Sequence, residues 1–375
     1  MARAQDYGLG EFTFPRGWFM VADAEELGDR PLAVHFFGQE LALYRGKSGR
    51  VVMLDAYCAH MGTHLARNDT SYVVKDGQIE GDSIRCPYHA WRFGPDGQCD
   101  DIPYYKGPIP KAACIRSWPV VERMGCVFAW HDPENGAPDY AVPWFSEWND
   151  PQWVRWKIDH LGELALHPLE ILDNMADVAH LEPVHGQTVQ YFENEFRDQV
   201  VIQRQGGVHR TLAAGAGALS TDTWYTGPGI LNSRLVGTFE TIMLITHTPV
   251  EDGVVKAWHA LMVKSPNHIA TAEDVTNARA YQEASRLAFA QDFDVWKHKR
   301  ACPNPLQVPT DGPFHKVRLW YRQFYNPRVR APDIHKQLNG IQLVKDMPAA
   351  TERLAREPPA GATTQAALTP ATEVT

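Results

Sequence analysis

Two short motifs constrain this chain more than anything else in it: Cys58-Ala59-His60 and Cys86-Pro87-Tyr88-His89. Each sets one thiol and one imidazole in a single loop. Four such donors in two tight pairs can hold a metal, and zinc accepts two cysteines with two histidines. Zinc fingers, however, usually keep the two cysteines together and the two histidines together, whereas here each pair is mixed. The mixed pairs suit a [2Fe–2S] cluster in which one iron takes Cys58 and Cys86 and the other takes His60 and His89. Neutral imidazoles in place of charged thiolates make such a cluster easier to reduce. Trp91 follows the second pair and is placed to shield one side. Gly62 and Gly94 relieve crowding where backbone N–H groups meet sulfur. Cys99, Cys114, Cys126 and Cys302 lack this spacing and read as buried thiols.

A second constellation holds Asn174, Asp177, His180 and His185 within twelve residues. Asp177 and His180 are three apart and would share a helix face. His180 and His185 are five apart, about 140° around an ideal helix, so an unbroken helix would not let both reach one ion. Pro183 lies between them and is placed to break it. Two histidines and one carboxylate with open positions form the facial triad that binds Fe(II) for oxygen activation. The third ligand must come from elsewhere. The stretch 273 to 300 reads as a helix, with Ala288, Phe289, Asp292, Val295 and Trp296 on one apolar stripe. A lone carboxylate on such a stripe is costly unless paired or metal-bound, which selects Asp292 over Asp294. The bland reading of the two histidines is a hydrogen-bonded core pair. His64, His160 and His167 receive no role.

The rest of the chain fits two domains. Residues 14 to 138 hold short apolar runs such as LAVHFF, LALYR, VVMLDAY, SIRCPY and CVFAW, punctuated by turn signals at Gly46–Lys47, Asp76–Gly77 and Asp96–Gly97. They read as a small all-β domain, with a hairpin at Lys75-Asp76-Gly77. Residues 139 to 348 combine the iron motif, the strands TFETIMLITHTPV and VVKAWHALMVK, and the long helix, an α+β pattern. Residues 349 to 375, rich in Ala, Thr and Pro, read as a flexible tail. The formal net charge of −9 leaves no basic excess for nucleic acid. The N-terminus has no apolar segment of a signal peptide, and no run of about 18 apolar residues occurs, so the expected location is the cytoplasm without a membrane span. No flavin or dinucleotide fingerprint is present. Candidates for an apolar substrate pocket are the stretch 224 to 229, Ile242 to Ile245, and Trp258, each equally readable as ordinary core.

CAHMGTH followed by CPYHAWRF, with DNMADVAHLEPVH downstream, resembles the Rieske non-haem iron oxygenases over about residues 14 to 345. ILDNMADVAH, QDFDVWKHK, DGP at 311 to 313 and WYRQFY at 320 to 325 are most similar to the oxygenase components of 3-ketosteroid 9α-hydroxylases. The resemblance implies an N-terminal all-β Rieske domain and a helix-grip-like α+β catalytic domain around an antiparallel sheet. It implies that Cys58, His60, Cys86 and His89 hold the cluster and that His180, His185 and Asp292 hold a mononuclear iron. Asp177 would bridge a cluster histidine of one subunit to an iron histidine of its neighbour, within a head-to-tail homotrimer; Asn174 belongs to the same catalytic motif. A ferredoxin or flavin reductase would deliver electrons from NAD(P)H, and O2 would hydroxylate a C–H bond of a hydrophobic, steroid-like substrate. Oxidative O- or N-demethylation of an aromatic compound uses the same two sites. A pure Rieske electron carrier would need only the first.

Overall fold

A computed structural model describes residues 2–209 and 218–346. The apolar runs of the first 131 residues form short antiparallel strands in three small sheets. In the first, Gly17–Asp23 and Val120–Arg123 flank Cys126–His131. The second runs Leu32–Phe36, Gln39–Arg45, Val51–Asp55 and Ser117–Trp118. The third runs Ile79–Glu80, Ser83–Arg85, Arg92–Phe93 and Cys99–Asp101, and its middle turn carries Cys86 and His89.

The stretch between His60 and Cys86 departs from expectation. Lys75-Asp76-Gly77 turns no hairpin. Instead Ser71 caps one helical turn, Tyr72–Lys75, its hydroxyl accepting the N–H of Val73. The hairpin falls at Gly81-Asp82, where Gly81 takes φ 59° and Ile79–Glu80 pairs with Ser83–Arg85. Glycine at Gly81 serves the turn that Asp76-Gly77 was expected to make.

Beyond residue 152, nine antiparallel strands of the described residues form one sheet, from Trp153–Val154 and Asp159–Leu164 at one edge to Gly340–Lys345 at the other. Val254–Lys264 pairs with both strands of that first edge and Glu240–Glu251 follows it inward; these are the two clearest strands of the sequence. Successive side chains alternate between faces. One face presents Trp224, Ile242, Leu244 and Trp258 to Phe19, Met20 and Phe36 of the N-terminal sheets. The other face is covered by the long helix Ala272–Trp296, whose Phe293 and Trp296 pack on Val255 and Ala257. Helix Phe314–Arg322 adds Trp320 and Tyr321 against Tyr225 and Ile245. A helix across one face of an antiparallel sheet makes this an α+β fold.

The alternation decides the pocket candidates. Trp224, Ile242, Leu244 and Trp258 lie in the core facing the N-terminal sheets, and Tyr225 and Ile245 pack beneath helix Phe314–Arg322. Met243 remains: it is only half-buried, although it sits on the helix-covered face in the middle of the sheet. The stretch 349 to 375, expected to be a tail, lies outside the described residues.

Candidate metal centres

The two Cys/His loops are built alike. The N–H of Gly62 donates to the carbonyl of Cys58 at 2.9 Å, and the N–H of Ala90 to that of Cys86 at 3.0 Å. Each loop closes on a left-handed residue, Gly62 at φ 69° and Ala90 at φ 58°. At Gly62 a side chain would meet nothing within 4 Å, so glycine serves the backbone conformation rather than crowding. Ala90 adopts the same conformation at a cost of roughly 1–2 kcal/mol. Arg85 holds its carbonyl at 2.8 Å and pairs with Glu80 and Asp101.

The loops bring all four expected donors together. Cys58 and Cys86 are buried and lie beside each other, and this proximity pushes the Cys58 thiol up and the Cys86 thiol down. The backbone N–H groups of His60 and Met61 point at the Cys58 sulfur, and those of Tyr88 and His89 at Cys86, joined by the Thr63 side chain. Donors converging on both sulfurs stabilise negative charge there, as a thiolate-bound cluster requires. The His60 and His89 rings lie 4.7 Å apart, nearer the surface than the cysteines. Trp91 stacks on His60 at 4.5 Å, as its position implied, and donates to the Tyr104 hydroxyl at 2.8 Å. The stretch between the motifs braces both loops. Buried Gln78 donates to the carbonyls of Leu65 and Arg85, and the Ser71 hydroxyl donates to that of Pro87. The other cysteines divide: Cys99 and Cys126 are buried, whereas Cys114 is exposed and Cys302 only partly covered.

The second centre gathers His180, His185 and Asp292, whose donor atoms all lie within 4.8 Å of one another. The local route differs from the one the spacing suggested. The helical segment ends at Met175, and Ala176 to Ala179 is irregular. His180 is the N-cap of the short helix Leu181–His185. Pro183 sits inside its first turn, where a missing N–H costs nothing. The chain break therefore precedes both histidines. Gly186, at φ 67°, ends the helix and turns the chain into the sheet. The two rings meet at 5.2 Å.

Hydrogen bonds fix which nitrogens face the centre. His180 Nδ1 donates to the main-chain oxygen of Asp177 at 2.6 Å, leaving Nε2 free. His185 Nδ1 donates to Gln291 Oε1 at 3.2 Å, while its Nε2 lies 3.3 Å from Asp292 Oδ1. Asp292 is buried, whereas Asp294 is largely exposed, as the stripe implied; Val295, placed on the same stripe, is half exposed and Phe293 is buried instead. Two imidazoles and one carboxylate with open positions fit a mononuclear iron. Asp177 does not share a helix face with His180. It lies in the irregular turn, where Oδ1 accepts the N–H groups of Ala179 and His180 and Oδ2 lies 3.6 Å from His180 Nδ1. Burial opposes the charge of Asp177, but His180 and these N–H groups hold it below its ordinary value. Burial also opposes a charged His185, which Asp292 nonetheless raises.

Several positioning residues carried no signal in the sequence. Asn194 donates to the carbonyl of Met175 at 2.7 Å, and Gln203 to those of Asn174 and Met175 at 3.0 and 3.2 Å. These inward-facing strand residues anchor the turn before Asp177, and Asn174 is tied to the site through its backbone. Gly312 of the DGP segment presses on the same turn: a Cβ there would meet the Ala176 oxygen at 1.7 Å. Gln291 orients His185. Gln291→Ala is expected to weaken iron binding roughly 10-fold or more, the scale for losing an orienting partner, read as iron retained after titration with a chelator.

Comparison with known proteins agrees with this geometry. Residues 17–119 match the Rieske [2Fe-2S] domain family, and residues 129–325 match the 3-ketosteroid 9alpha-hydroxylase C-terminal domain family. The oxygenase component of 3-ketosteroid-9-alpha-monooxygenase from Mycolicibacterium smegmatis is 32% identical over 367 residues, covering 94% of this chain and 92% of that protein. The protein of that name from Mycobacterium tuberculosis is 32% identical over 340 residues, covering 86% and 85%. Among solved structures, dicamba monooxygenase bound to 3,6-dichlorosalicylic acid superposes with a TM-score of 0.67 at 21% identity, covering 86% of this chain and 99% of that one. NdmA of Pseudomonas putida CBB5 with caffeine gives 0.65 at 18% identity, covering 88% and 97%.

Fold and sites together define a Rieske-type non-haem iron monooxygenase. Within that class the chain belongs to the 3-ketosteroid 9α-hydroxylase family. It is an oxygenase component, with a [2Fe–2S] cluster, a mononuclear iron and O2 as co-substrate, and it takes electrons from a separate protein. No helix of the described residues is long and apolar enough to cross a membrane.

Proposed function

We propose that this protein hydroxylates a C–H bond of a polycyclic ketone of the 3-ketosteroid type. The supporting observation is identity of 32% spread across 92% of a ketosteroid monooxygenase component. Cys58, His60, Cys86 and His89 are assigned to the cluster, and His180, His185 and Asp292 to the iron. When bound, these groups supply one-electron storage and O2 activation. The residues of the chain do the rest. The Nδ1 atoms of His180 and His185 are engaged by the main-chain oxygen of Asp177 and by Gln291, so each ring turns its Nε2 toward the centre. Asn194 and Gln203 hold the turn that carries Asp177. Met243 offers an apolar surface facing the long helix.

Asp177 is also proposed to connect subunits in a head-to-tail homotrimer. Its side chain is 30% exposed while it touches His180, and His60 and the neighbouring Tyr57, Met61, Tyr88 and Tyr104 are exposed around the cluster. One subunit's cluster edge can thus reach another's Asp177. A ferredoxin or flavin reductase supplies NAD(P)H-derived electrons at the same edge.

The test combines the reduced protein with a reductase, ¹⁸O2 and either 3-ketosteroids or methoxylated arenes. One ¹⁸O atom in a hydroxysteroid is the expected result. Formaldehyde from the arenes, with steroids left intact, would replace this reading by demethylation.

A further inference from the structure

The sheet face beneath the long helix carries polar side chains where a buried face needs none. Cross-strand registers set Phe192, Gln205, Thr221 and Leu235 in one row and Asn194, Gln203, Thr223 and Ser233 in the next. Direct partners on neighbouring strands point to the same face. Leu235 packs on Tyr281 and Ala284 of the helix Ala272–Trp296, and so does Met243, the partner of Ser233. Both rows therefore lie under that helix.

Most of these polar groups have an evident task. Asn194 and Gln203 hold the turn before Asp177, and the Thr223 and Ser233 hydroxyls bond to each other at 2.7 Å. Gln205 has none. Its side chain is buried, with 6% exposure, and its Oε1 has no hydrogen-bond partner among the described residues. A buried amide oxygen without a partner costs stability, whereas an apolar side chain of the same shape would not. Such a group is explained by something that occupies the space before it. Asn194 and Thr241 also carry an unpartnered oxygen, but Asn194 is anchored by its nitrogen and Thr241 lies beyond Leu235 on the same row.

Gln205 sits between the iron ligands and an apolar wall. Its direct partner Phe192 packs on Leu181, the residue after His180. Adjacent strands are about 4.8 Å apart, so Gln205 is one strand further from the iron helix than Phe192. On its other side comes Thr221, then Leu235 with Tyr281 and Ala284. Ala284, Ala288 and Asp292 follow at four-residue intervals and share one ridge of the long helix. From the wall to the iron ligand that ridge carries only alanine methyl groups, and solvent reaches both alanines. Small side chains above, and short polar ones below, leave room for a ligand that extends to the iron.

We propose that Gln205 is a specificity-determining residue, whose amide hydrogen-bonds a neutral oxygen substituent of the substrate, a ketone or hydroxyl away from the carbon attacked. An amide offers an acceptor and two donors without charge. It therefore suits a ketone or hydroxyl and gives a carboxylate no compensation. Holding one oxygen of a rigid polycycle at a fixed place beside the iron also selects which C–H bond is presented. Gln205 takes no part in oxygen chemistry.

This assignment rests on the steroid hydroxylase reading, and the experiment separates the two. Wild-type and Gln205→Leu holoenzymes, kept oxidised so that nothing turns over, are titrated calorimetrically with a steroid bearing a ketone at each end of its ring system. The same titration is made with the two analogues that each lack one of those oxygens. Gln205→Leu is expected to weaken binding of the diketone roughly 10-fold, the scale of one hydrogen bond to a buried group. One analogue should bind both proteins equally, because it lacks the oxygen that Gln205 holds; the cycle isolates that pairwise coupling. Iron content should be unchanged, and the Tm of the ligand-free variant should not fall, since an unpaired buried amide has been removed. Equal weakening for all three ligands would overturn the assignment and mark a packing role, as would a lowered Tm. No weakening for any of them would leave Gln205 holding water only, which overturns it too. A wild-type protein that binds none of the three removes the steroid reading and this assignment with it.

Discussion

Asp292→Ala is expected to yield a folded, coloured protein with about two irons and two sulfides per chain instead of about three and two, and no detectable product. The physical reason is the small number of ligands. Two histidines on one turn of helix offer only two neutral donors, and the charge of a divalent ion then goes uncompensated in a buried place. Asp292 is buried and lies 3.3 Å from His185 Nε2, so it is the group that supplies that compensation. The cluster loops belong to other sheets and share none of these residues. The visible spectrum and sulfide content should therefore be unchanged, which separates a lost iron from a misfolded chain. Asp294→Ala, two residues away on the exposed side, should change neither metal content nor rate.

The second large effect is on Asp177. Asp177→Asn preserves the side-chain shape, and its carbonyl oxygen can still accept the N–H groups of Ala179 and His180. What is lost is the negative charge beside His180. Both metal centres should load normally, and chemical reduction of the cluster should proceed at the usual rate. Product formed per reduced cluster in a single turnover should slow by about 10- to 100-fold, the range for an outer partner of a metal ligand. A variant that loses iron in proportion to activity would instead assign Asp177 to orienting His180 alone.

How much of this was legible in the sequence depended on whether the chemistry or the geometry carried the signal. That the donor groups come together was legible because thiols and imidazoles in pairs at such short spacing have few other uses. The burial of Asp292 was legible because helical periodicity places it on an apolar face, where a carboxylate is out of place. The path of the backbone was not. Pro183 seemed to be the break between the histidines, yet a proline in a first turn is tolerated, and the break falls at Ala176 to Ala179. Asp76-Gly77 has the composition of a hairpin turn, but Ser71 caps a helical turn just before it and the strands pair across Gly81. The pocket candidates were contiguous stretches, each equally readable as core, and spacing alone could not divide them. In a strand, neighbours face opposite ways, so Met243 faces the helix while Ile242 and Leu244 are buried against the N-terminal sheets. The second layer of the site was invisible for a different reason. Asn194, Gln203, Gln291 and Gly312 act through contacts made by distant segments, and nothing in their local sequence announces the partner.

The central claim is that one chain holds both an electron-storing cluster and a separate oxygen-activating iron. Iron and acid-labile sulfide, determined on anaerobically purified protein together with the EPR spectrum of the reduced state, test it most directly. The account predicts about three irons and two sulfides per chain, with a signal of a histidine-ligated [2Fe–2S] cluster. Two irons per chain that do not rise on reconstitution with Fe(II) would contradict it, leaving an electron carrier without an oxygenase site.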